Sequence, residues 1–230
     1  MDFTQYASNM GAVTAFVDEL RTVDGLTGLR IRFKADSAMW RLAPKTLRNA
    51  FTTLGQTIWV PSLRALNRLD RIQAIELIAH EARHALEWDW LFVLKYLSPQ
   101  LPLLAITALA WIVCGTVASL DTLHHVGFGV GLIASLAPWP SPWRLEIERR
   151  GYLMNVKVEA YLLGEIPVPT FFWIDGLLGS WLYWKMSWGT WGKYEIVRSM
   201  KQEVLTGDFP WSDPILEAME RWLNRNAEAR

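Results

Sequence analysis

The feature that most constrains the fold is a long segment without charge in the middle of the chain. Residues 96–120 contain no Asp, Glu, Lys or Arg, and the part from Leu101 to Leu120 is almost wholly apolar. That length is about the 20 residues that a helix needs to cross the hydrocarbon core of a bilayer. A second, shorter apolar run, Val126–Ala137, follows Asp121–His125, where we expect a turn. The pattern predicts an inserted apolar helical hairpin, either in a membrane or buried in a soluble assembly.

The composition and the charge limit the kinds of molecule that we expect this chain to bind. The chain has 230 residues, 51% of them hydrophobic, and 23 basic side chains balance 23 acidic ones. This balance gives no overall field for a polyanion and no local basic face stands out, so we expect no nucleic-acid partner. The single Cys114 excludes an intrachain disulfide. The first residues show neither the basic nor the apolar region of a cleavable signal peptide, and we expect none.

A helix that precedes the insert carries the most informative motif. Asp70 to Gln73 has the pattern of an N-cap with a capping box, and nothing breaks the helix until about Trp90. This helix contains His80-Glu81-Ala82-Arg83-His84. Residues four apart share one face of a helix, so His80 and His84 can direct two imidazoles at one ion.

This arrangement suits zinc-dependent hydrolysis. Two imidazoles are common ligands of Zn2+, which lowers the pKa of a bound water to about 7. Glu81 is placed to take a proton from that water and to return it to a leaving amine. The residues therefore predict Zn2+ as the cofactor, His80 and His84 as ligands, and Glu81 as the catalytic general base.

The setting of the motif resembles the zincin metallopeptidases, in which an edge strand precedes a helix that ends in HExxH. Thr57–Val60 is a short β-rich run closed by Pro61, as suits an edge strand. The metzincin extension needs Gly and His where this chain has Glu87 and Trp90, which excludes that subgroup. The better resemblance is to the gluzincins.

The gluzincin resemblance implies a third ligand on a later helix. Its usual setting is Glu-x-x-Ala followed by a polar residue, and Glu148-Arg149-Arg150-Gly151 fits with Gly in place of Ala. Glu148 is then the third metal ligand. Glu146 is the rival, and because the two lie about 200° apart on a helix, only one can face the metal. Both could instead lie on a solvated charged face.

Three further residues near the motif have both a chemical and a structural interpretation. Asp89 could orient a ligand histidine or simply lie on the surface at the helix end. Tyr152 and Tyr161 could donate to an oxyanion, although packing is the more common role of such residues. The pair His124-His125 indicates a loop or an interfacial position, because adjacent histidines point to different faces.

The fold class that these patterns predict is α+β. We expect a mostly helical zincin-like domain with a small antiparallel sheet and the inserted apolar hairpin. Residues 1–95 form its N-terminal part with the HExxH helix, and residues 96–143 form the insert. Residues 144–230 supply the third-ligand helix, a Trp-rich segment and a C-terminal helix.

The functional hypothesis is a membrane-associated zinc metallopeptidase that hydrolyses a protein or peptide substrate. If both ligand helices hold one ion, both ends of the insert lie on the same side of any membrane. Basic residues flank the insert and are absent from its turn, which predicts a metal site that faces the cytoplasm. The alternative is a non-enzymatic membrane or assembly protein on a degenerate zincin-like scaffold.

Overall fold

The structure is a computed structural model that describes residues 9–43, 45–96, 100–117, 121–136, 142–165, 168–178, 190–206 and 212–228. Helices dominate these ranges and a small sheet accompanies them, so the α+β prediction is confirmed. The strands are β1 (Arg30–Phe33), β2 (Thr52–Leu54) and β3 (Thr57–Val60). The helices in the described ranges are α1 (Asn9–Leu20), α2 (Ala38–Arg41), α3 (Lys45–Asn49), α4 (Leu63–Leu66), α5 (Arg71–Leu86), α6 (Phe92–Tyr96), α7 (Gln100–Val117), α8 (Asp121–Leu136), α9 (Pro142–Leu163), α10 (Val168–Leu178), α11 (Thr190–Thr206) and α12 (Pro214–Glu228).

The sheet is mixed, so the prediction of an antiparallel sheet was wrong. Its strand order is β1-β3-β2, with β1 parallel and β2 antiparallel to β3. β2 and β3 form a hairpin in which Leu54 pairs with Thr57 and Gly55 takes a φ of 58°. Glycine adopts that conformation without steric cost. β1 is separated from β3 by α2, α3 and β2, and such a long connection allows parallel pairing.

The prediction that Thr57–Val60 forms an edge strand was also wrong, because β3 is the central strand. Pro61 follows Val60, the last paired residue, where its missing N–H removes no ladder bond. Within the described ranges the edges of the sheet are β1 and β2. β2 was not predicted, although Phe51 to Leu54 followed by a glycine and a second β-rich run is a hairpin pattern.

Local capping places the helices where the sequence indicates them. The Asp70 side chain accepts from the Gln73 backbone N–H at 2.8 Å, and the Gln73 side chain accepts from the Asp70 N–H at 3.2 Å. This capping box begins α5 at the predicted residue. At the start of α12, the Asp213 carboxylate accepts from the Ile215 N–H at 2.9 Å.

The chain divides into two compact units, and the first contains the HExxH helix. It comprises Met1–Trp88, Ile147–Ile174 and Glu195–Arg230. In this unit α5 packs against β2, β3, α1 and α12. Phe16 and Trp222 are buried with their ring centroids 5.7 Å apart. Each buried side chain of this size contributes about 1.5–3 kcal/mol, so this core fixes α5 firmly.

The second unit, Asp89–Glu146 with Asp175–Tyr194, contains the apolar insert. Trp111 on α7 contacts Phe128 on α8 with ring centroids 5.2 Å apart. Thr107 contacts Gly131 so closely that a Cβ there would lie 2.7 Å from the threonine Cγ2. Thr107 contacts Gly131, whereas Trp111, further along α7, contacts Phe128, which comes earlier in α8. The two helices are therefore antiparallel, which is the geometry of a hairpin.

The turn of this hairpin does not lie where we predicted it. Asp121–His125 belongs to the first turns of α8, so its two histidines are helical and not in a loop. Residues 118–120, between the helices, lie outside the described residues, as do residues 179–189 of the Trp-rich segment. Across the described ranges, no helix combines the length and the apolar character needed to span a bilayer.

Candidate metal centre

Three donor atoms converge in the first unit, two from α5 and one from α9. Nε2 of His80 and Nε2 of His84 are 3.0 Å apart. Oε2 of Glu148 lies 3.7 Å from the first nitrogen and 3.9 Å from the second. All three side chains are buried. They form a group that could hold a metal ion.

The spacing of these atoms fits a small divalent cation. Donors about 2.1 Å from a tetrahedral Zn2+ lie about 3.4 Å from one another, close to the observed separations. The nearest point equidistant from the three atoms lies in their plane, about 2.1 Å from each, so an ion displaced slightly from that plane stays close to a zinc–ligand bond length. Two imidazoles and one carboxylate suit first-row divalent metals, Zn2+ among them, and leave a tetrahedral position for a further ligand.

A hydrogen bond from α9 fixes the tautomer of His80. Nδ1 of His80 lies 3.0 Å from Oδ1 of the buried Asn155. A carbonyl oxygen can only accept, so Nδ1 carries the hydrogen and the lone pair lies on Nε2, the atom in the donor group. Metal-binding histidines are usually oriented by such an outer partner. Asn155 is therefore a positioning residue for His80.

The histidine ring also explains why residue 151 is a glycine. A Cβ at Gly151 would lie 2.6 Å from Nε2 and 2.7 Å from Cε1 of His80. Carbon atoms do not approach so closely, so even the alanine of the gluzincin pattern would displace this ring. With glycine at position 151, α9 lies closer to His80 than any side chain at that position would allow.

We therefore expect Gly151→Ala to weaken metal binding by at least about tenfold, comparable to the loss of an outer-shell partner. Alanine favours a helix interior by about 1 kcal/mol over glycine, so the loss would not come from the helix itself. The matched control is Gly11→Ala in α1, where a Cβ meets nothing within 4 Å. Competition titration with a metal indicator measures both variants. Equal affinity in both would contradict the close approach at Gly151.

The predicted general base has its own buried environment beside the donor group. Glu81 is 6% exposed, and its Oε2 accepts a hydrogen bond of 2.8 Å from Oγ1 of Thr53 on β2. Burial raises the pKa of Glu81, while the neighbouring His80 and the Thr53 hydrogen bond oppose the shift. A carboxylate with a raised pKa is better matched to proton transfer near neutral pH.

The pKa values of the two histidines are shifted in opposite directions. Burial by itself lowers the pKa of His80, but the hydrogen bond and charge of Glu148 and the charge of Glu81 outweigh it, so the pKa is raised. Burial and the adjacent His80 lower the pKa of His84 to about 4. Protonation of His80 is therefore favoured over protonation of both histidines.

The remaining sequence candidates have other contacts. Glu146 is half-buried and does not belong to the donor group. Asp89 is exposed and forms an ion pair with Lys95 at 3.0 Å, which is the surface interpretation. Tyr161 hydrogen-bonds Glu220 on α12. Tyr152 is buried with its ring edge against His80, at 4.8 Å between centroids.

Sequence reasoning missed two residues of the site, Thr53 and Asn155. Thr53 could have been found from the overlooked hairpin, because β2 pairs with β3 directly before the motif helix. Asn155 lies seven residues after Glu148 on α9, which is two helical turns and hence the same face. That spacing was a usable indication of an outer partner for a histidine.

A cavity of about 550 Å³ includes Asn155, the hydrogen-bond partner of His80, in its lining. It lies between α5 and α9, and its walls include Glu76, Glu159 and Trp173. Thr170 donates a hydrogen bond to Glu159. Burial, together with the charges of Glu159 and Asp70, raises the pKa of Glu76 to about 8. The cavity therefore offers carboxyl groups and an aromatic wall beside the candidate centre.

The shifted pKa of Glu76 predicts a pH-dependent stability. Between its ordinary value of 4.5 and about 8, folded Glu76 holds a proton that the unfolded chain releases. Stability from this group is therefore full below about pH 4.5 and is lost as the pH rises through about 8. Glu76→Gln keeps a neutral group at all pH values, so its Tm should exceed that of the parent at pH 9, by about 2–4 °C for each kcal/mol that ionised Glu76 costs, and match it near pH 4.5. Thermal unfolding with a chelator present measures this, and parallel curves would contradict it.

Comparisons with known proteins add nothing to this picture. No family model matches the chain, and neither the curated proteins nor the solved structures yielded a match.

Proposed function

We propose that this protein is a zinc-dependent metallopeptidase of the gluzincin type. The observation that carries the proposal is the convergence of His80, His84 and Glu148, with the buried carboxylate of Glu81 coupled electrostatically to that group. A metal-binding triad alone serves many structural sites. A buried acid beside it, held by one hydrogen bond, adds the proton-transfer group that hydrolysis needs.

The residues of the site would have distinct roles in peptide hydrolysis. Zn2+, when bound, supplies a Lewis acid and makes hydroxide accessible near neutral pH. Thr53 holds Glu81 through Oε2, which orients the carboxylate so that its other oxygen can accept a proton from the attacking water. Glu81 then returns that proton to the leaving amine. Asn155 keeps His80 in the tautomer that presents Nε2.

The peptide substrate would add to β2, because β3 is the central strand of the sheet. β2 is an edge strand, and its Thr53 contacts the proposed base directly. An extended peptide that pairs with this edge would gain main-chain hydrogen bonds and pass beside Glu81. Alternate substrate side chains would then point to opposite faces of the extended sheet.

Membrane association of the α7–α8 hairpin is part of the proposal, with the metal centre on the cytoplasmic side. The support is the apolar surface of these helices, because several large side chains are more than half exposed: Ile106, Leu109, Ile112, Val130 and Ile133. Contiguous apolar patches of this kind are uncommon on monomeric soluble proteins and indicate a contact with lipid or another chain.

Metal removal and replacement test the proposed function. We expect the purified chain to carry one equivalent of zinc and to hydrolyse a dye-labelled unfolded protein. Removal of the metal with 1,10-phenanthroline should abolish cleavage and added zinc should restore it, whereas the non-chelating 1,7 isomer should have no effect. Zinc retained without cleavage of any protein or peptide would instead support the non-enzymatic scaffold.

A further inference from the structure

A second cavity in the first unit has a strongly positive wall. Its volume is about 680 Å³, and it lies where α2, α3 and α4 meet the sheet. No Asp or Glu is among the described residues that line it, but six cationic residues are: Lys34, Arg41, Lys45, Arg48, Arg64 and Arg68. The chain as a whole is neutral, so this concentration of charge is local. Our expectation that no local basic face exists was therefore wrong.

Five of these six cations have no acidic partner in the described part of the chain. Arg41, Lys45, Arg48, Arg64 and Arg68 are exposed, and none forms an ion pair with a carboxylate in the described part of the chain. Lys34 is different, because it is buried and donates to Leu47 O, Ala50 O and Thr52 Oγ1 at 2.6–2.7 Å. Lys34 thus ties α3 to β2 and supports the floor of the cavity.

The wall also contains a polar group that lacks a partner. Trp40 is 7% exposed, and its ring lies 3.9 Å from Nζ of Lys34. Its Nε1–H is buried and has no hydrogen-bond acceptor among the described residues. A buried donor without an acceptor costs free energy.

Exposed apolar side chains lie next to the cavity residues in the sequence. Met39 and Leu42 flank Trp40 and Arg41, and Leu42 is 91% exposed. Leu47 and Leu63 precede the lining residues Arg48 and Arg64 and are exposed as well. Each of these four is a direct neighbour in sequence of a lining residue, and we refer to them as the apolar rim of the basic cavity.

We infer that this cavity and its rim form a docking surface for an anionic phospholipid membrane. Lipid phosphates would occupy the cavity, where the exposed arginines supply donors. The four rim side chains would enter the interfacial region, as apolar residues of peripheral proteins do. Negative lipid charge complements the unpaired cations, at about fivefold in affinity per basic residue. A soluble phosphate compound would leave the rim exposed, so the rim favours a lipid surface.

This surface is independent of the proposed peptidase activity, but β2 connects the two. Thr52 accepts a hydrogen bond from Lys34 on the cavity side, and the next residue, Thr53, binds Glu81. Successive residues of a strand point to opposite faces, so Thr52 and Thr53 make these two contacts from opposite faces of β2.

The test uses the full-length chain and a reporter at the rim. Cys114 is the only cysteine, so Leu42→Cys in a Cys114→Ser background accepts one environment-sensitive dye. We expect its emission to shift to the blue with vesicles of phosphatidylcholine that contain about 30 mol % phosphatidylglycerol, a charge density at which basic clusters bind. Pure phosphatidylcholine vesicles should have little effect, and the response should weaken with salt.

Paired charge variants decide the role of the cavity. Arg48→Gln with Arg64→Gln should lower the vesicle affinity obtained from this response by about 30-fold. Arg198→Gln with Lys201→Gln removes the same charge from an exposed part of α11 and should leave the response unchanged. Leu63→Ser should reduce it without any change of charge. An equal loss in both charge pairs would overturn the inference, as would a dye response to pure phosphatidylcholine of the same size. Saturable binding of a short DNA duplex without a vesicle response would identify nucleic acid as the ligand and also overturn it.

Discussion

Replacement of Glu148 by Gln is expected to lower zinc affinity by at least about 100-fold, because a carboxylate in direct contact with the metal contributes more than an outer-shell partner. Oε2 of Glu148 is 3.7 and 3.9 Å from the two histidine nitrogens, and a neutral amide oxygen there is a far weaker ligand. Gln keeps the size of the side chain, so α9 should remain folded. Competition with a metal indicator and the zinc content after dialysis measure the loss.

Glu146→Gln is the matched control for this variant. It makes the same chemical change two residues earlier on the same helix, and it should leave zinc binding intact because Glu146 lies outside the donor group. Loss of zinc in the Glu146 variant with retention in the Glu148 variant would reverse the ligand assignment. His80→Ala should reproduce the loss seen for Glu148→Gln, which ties both residues to one ion.

Replacement of Glu81 by Gln is expected to lower kcat/KM by about 10²- to 10⁴-fold while zinc remains bound, since a general base contributes that much. Glu81 is buried and hydrogen-bonded to Thr53, and its neutral isostere can keep the hydrogen bond but cannot accept the proton. Zinc content and peptide hydrolysis are measured on the same preparation. Unchanged activity in this variant would remove Glu81 from the mechanism.

Substitutions of Thr53 can distinguish the orientation of Glu81 from its action as a general base. Thr53→Val removes the hydrogen bond to Oε2 and should lower kcat with little effect on zinc content, because Thr53 is not in the donor group. Thr53→Ser restores the hydroxyl and should recover most of the activity. A serine variant as impaired as the valine variant would indicate that Thr53 acts only through packing of β2 against α5.

Several features of the site are local enough for the sequence to predict. The capping box at Asp70 and Gln73 and the unbroken run after it place α5, and helical geometry then brings His80 and His84 to one face. Each of these inferences depends on residues no more than four positions apart, where backbone geometry leaves few alternatives. The preference for Glu148 came from a family resemblance, and the distances to both histidines now support it.

Other features depend on which distant segments meet, and here the sequence predictions failed. Thr57–Val60 was assigned correctly as a strand but wrongly as an edge, because its neighbours β1 and β2 are chosen by long-range pairing. The turn of the hairpin was placed at Asp121–His125, yet a helix that packs along its partner extends through those residues. The neutral overall charge hid the basic cavity, which forms only when α2, α3 and α4 come together.

The sequence by itself thus determined the chemistry that this protein can offer: two histidines and a glutamate on one helix, with acidic candidates on a second. Only the tertiary structure decided how that chemistry is arranged. In the folded chain Glu148 is the third donor, Thr53 hydrogen-bonds Glu81, and Asn155 hydrogen-bonds His80. The close approach of α9 to His80 leaves room only for glycine at position 151. The physical reason is that helix periodicity is set by the backbone alone, whereas the contact of α5 with α9 and β2 is set by packing of segments far apart in the chain.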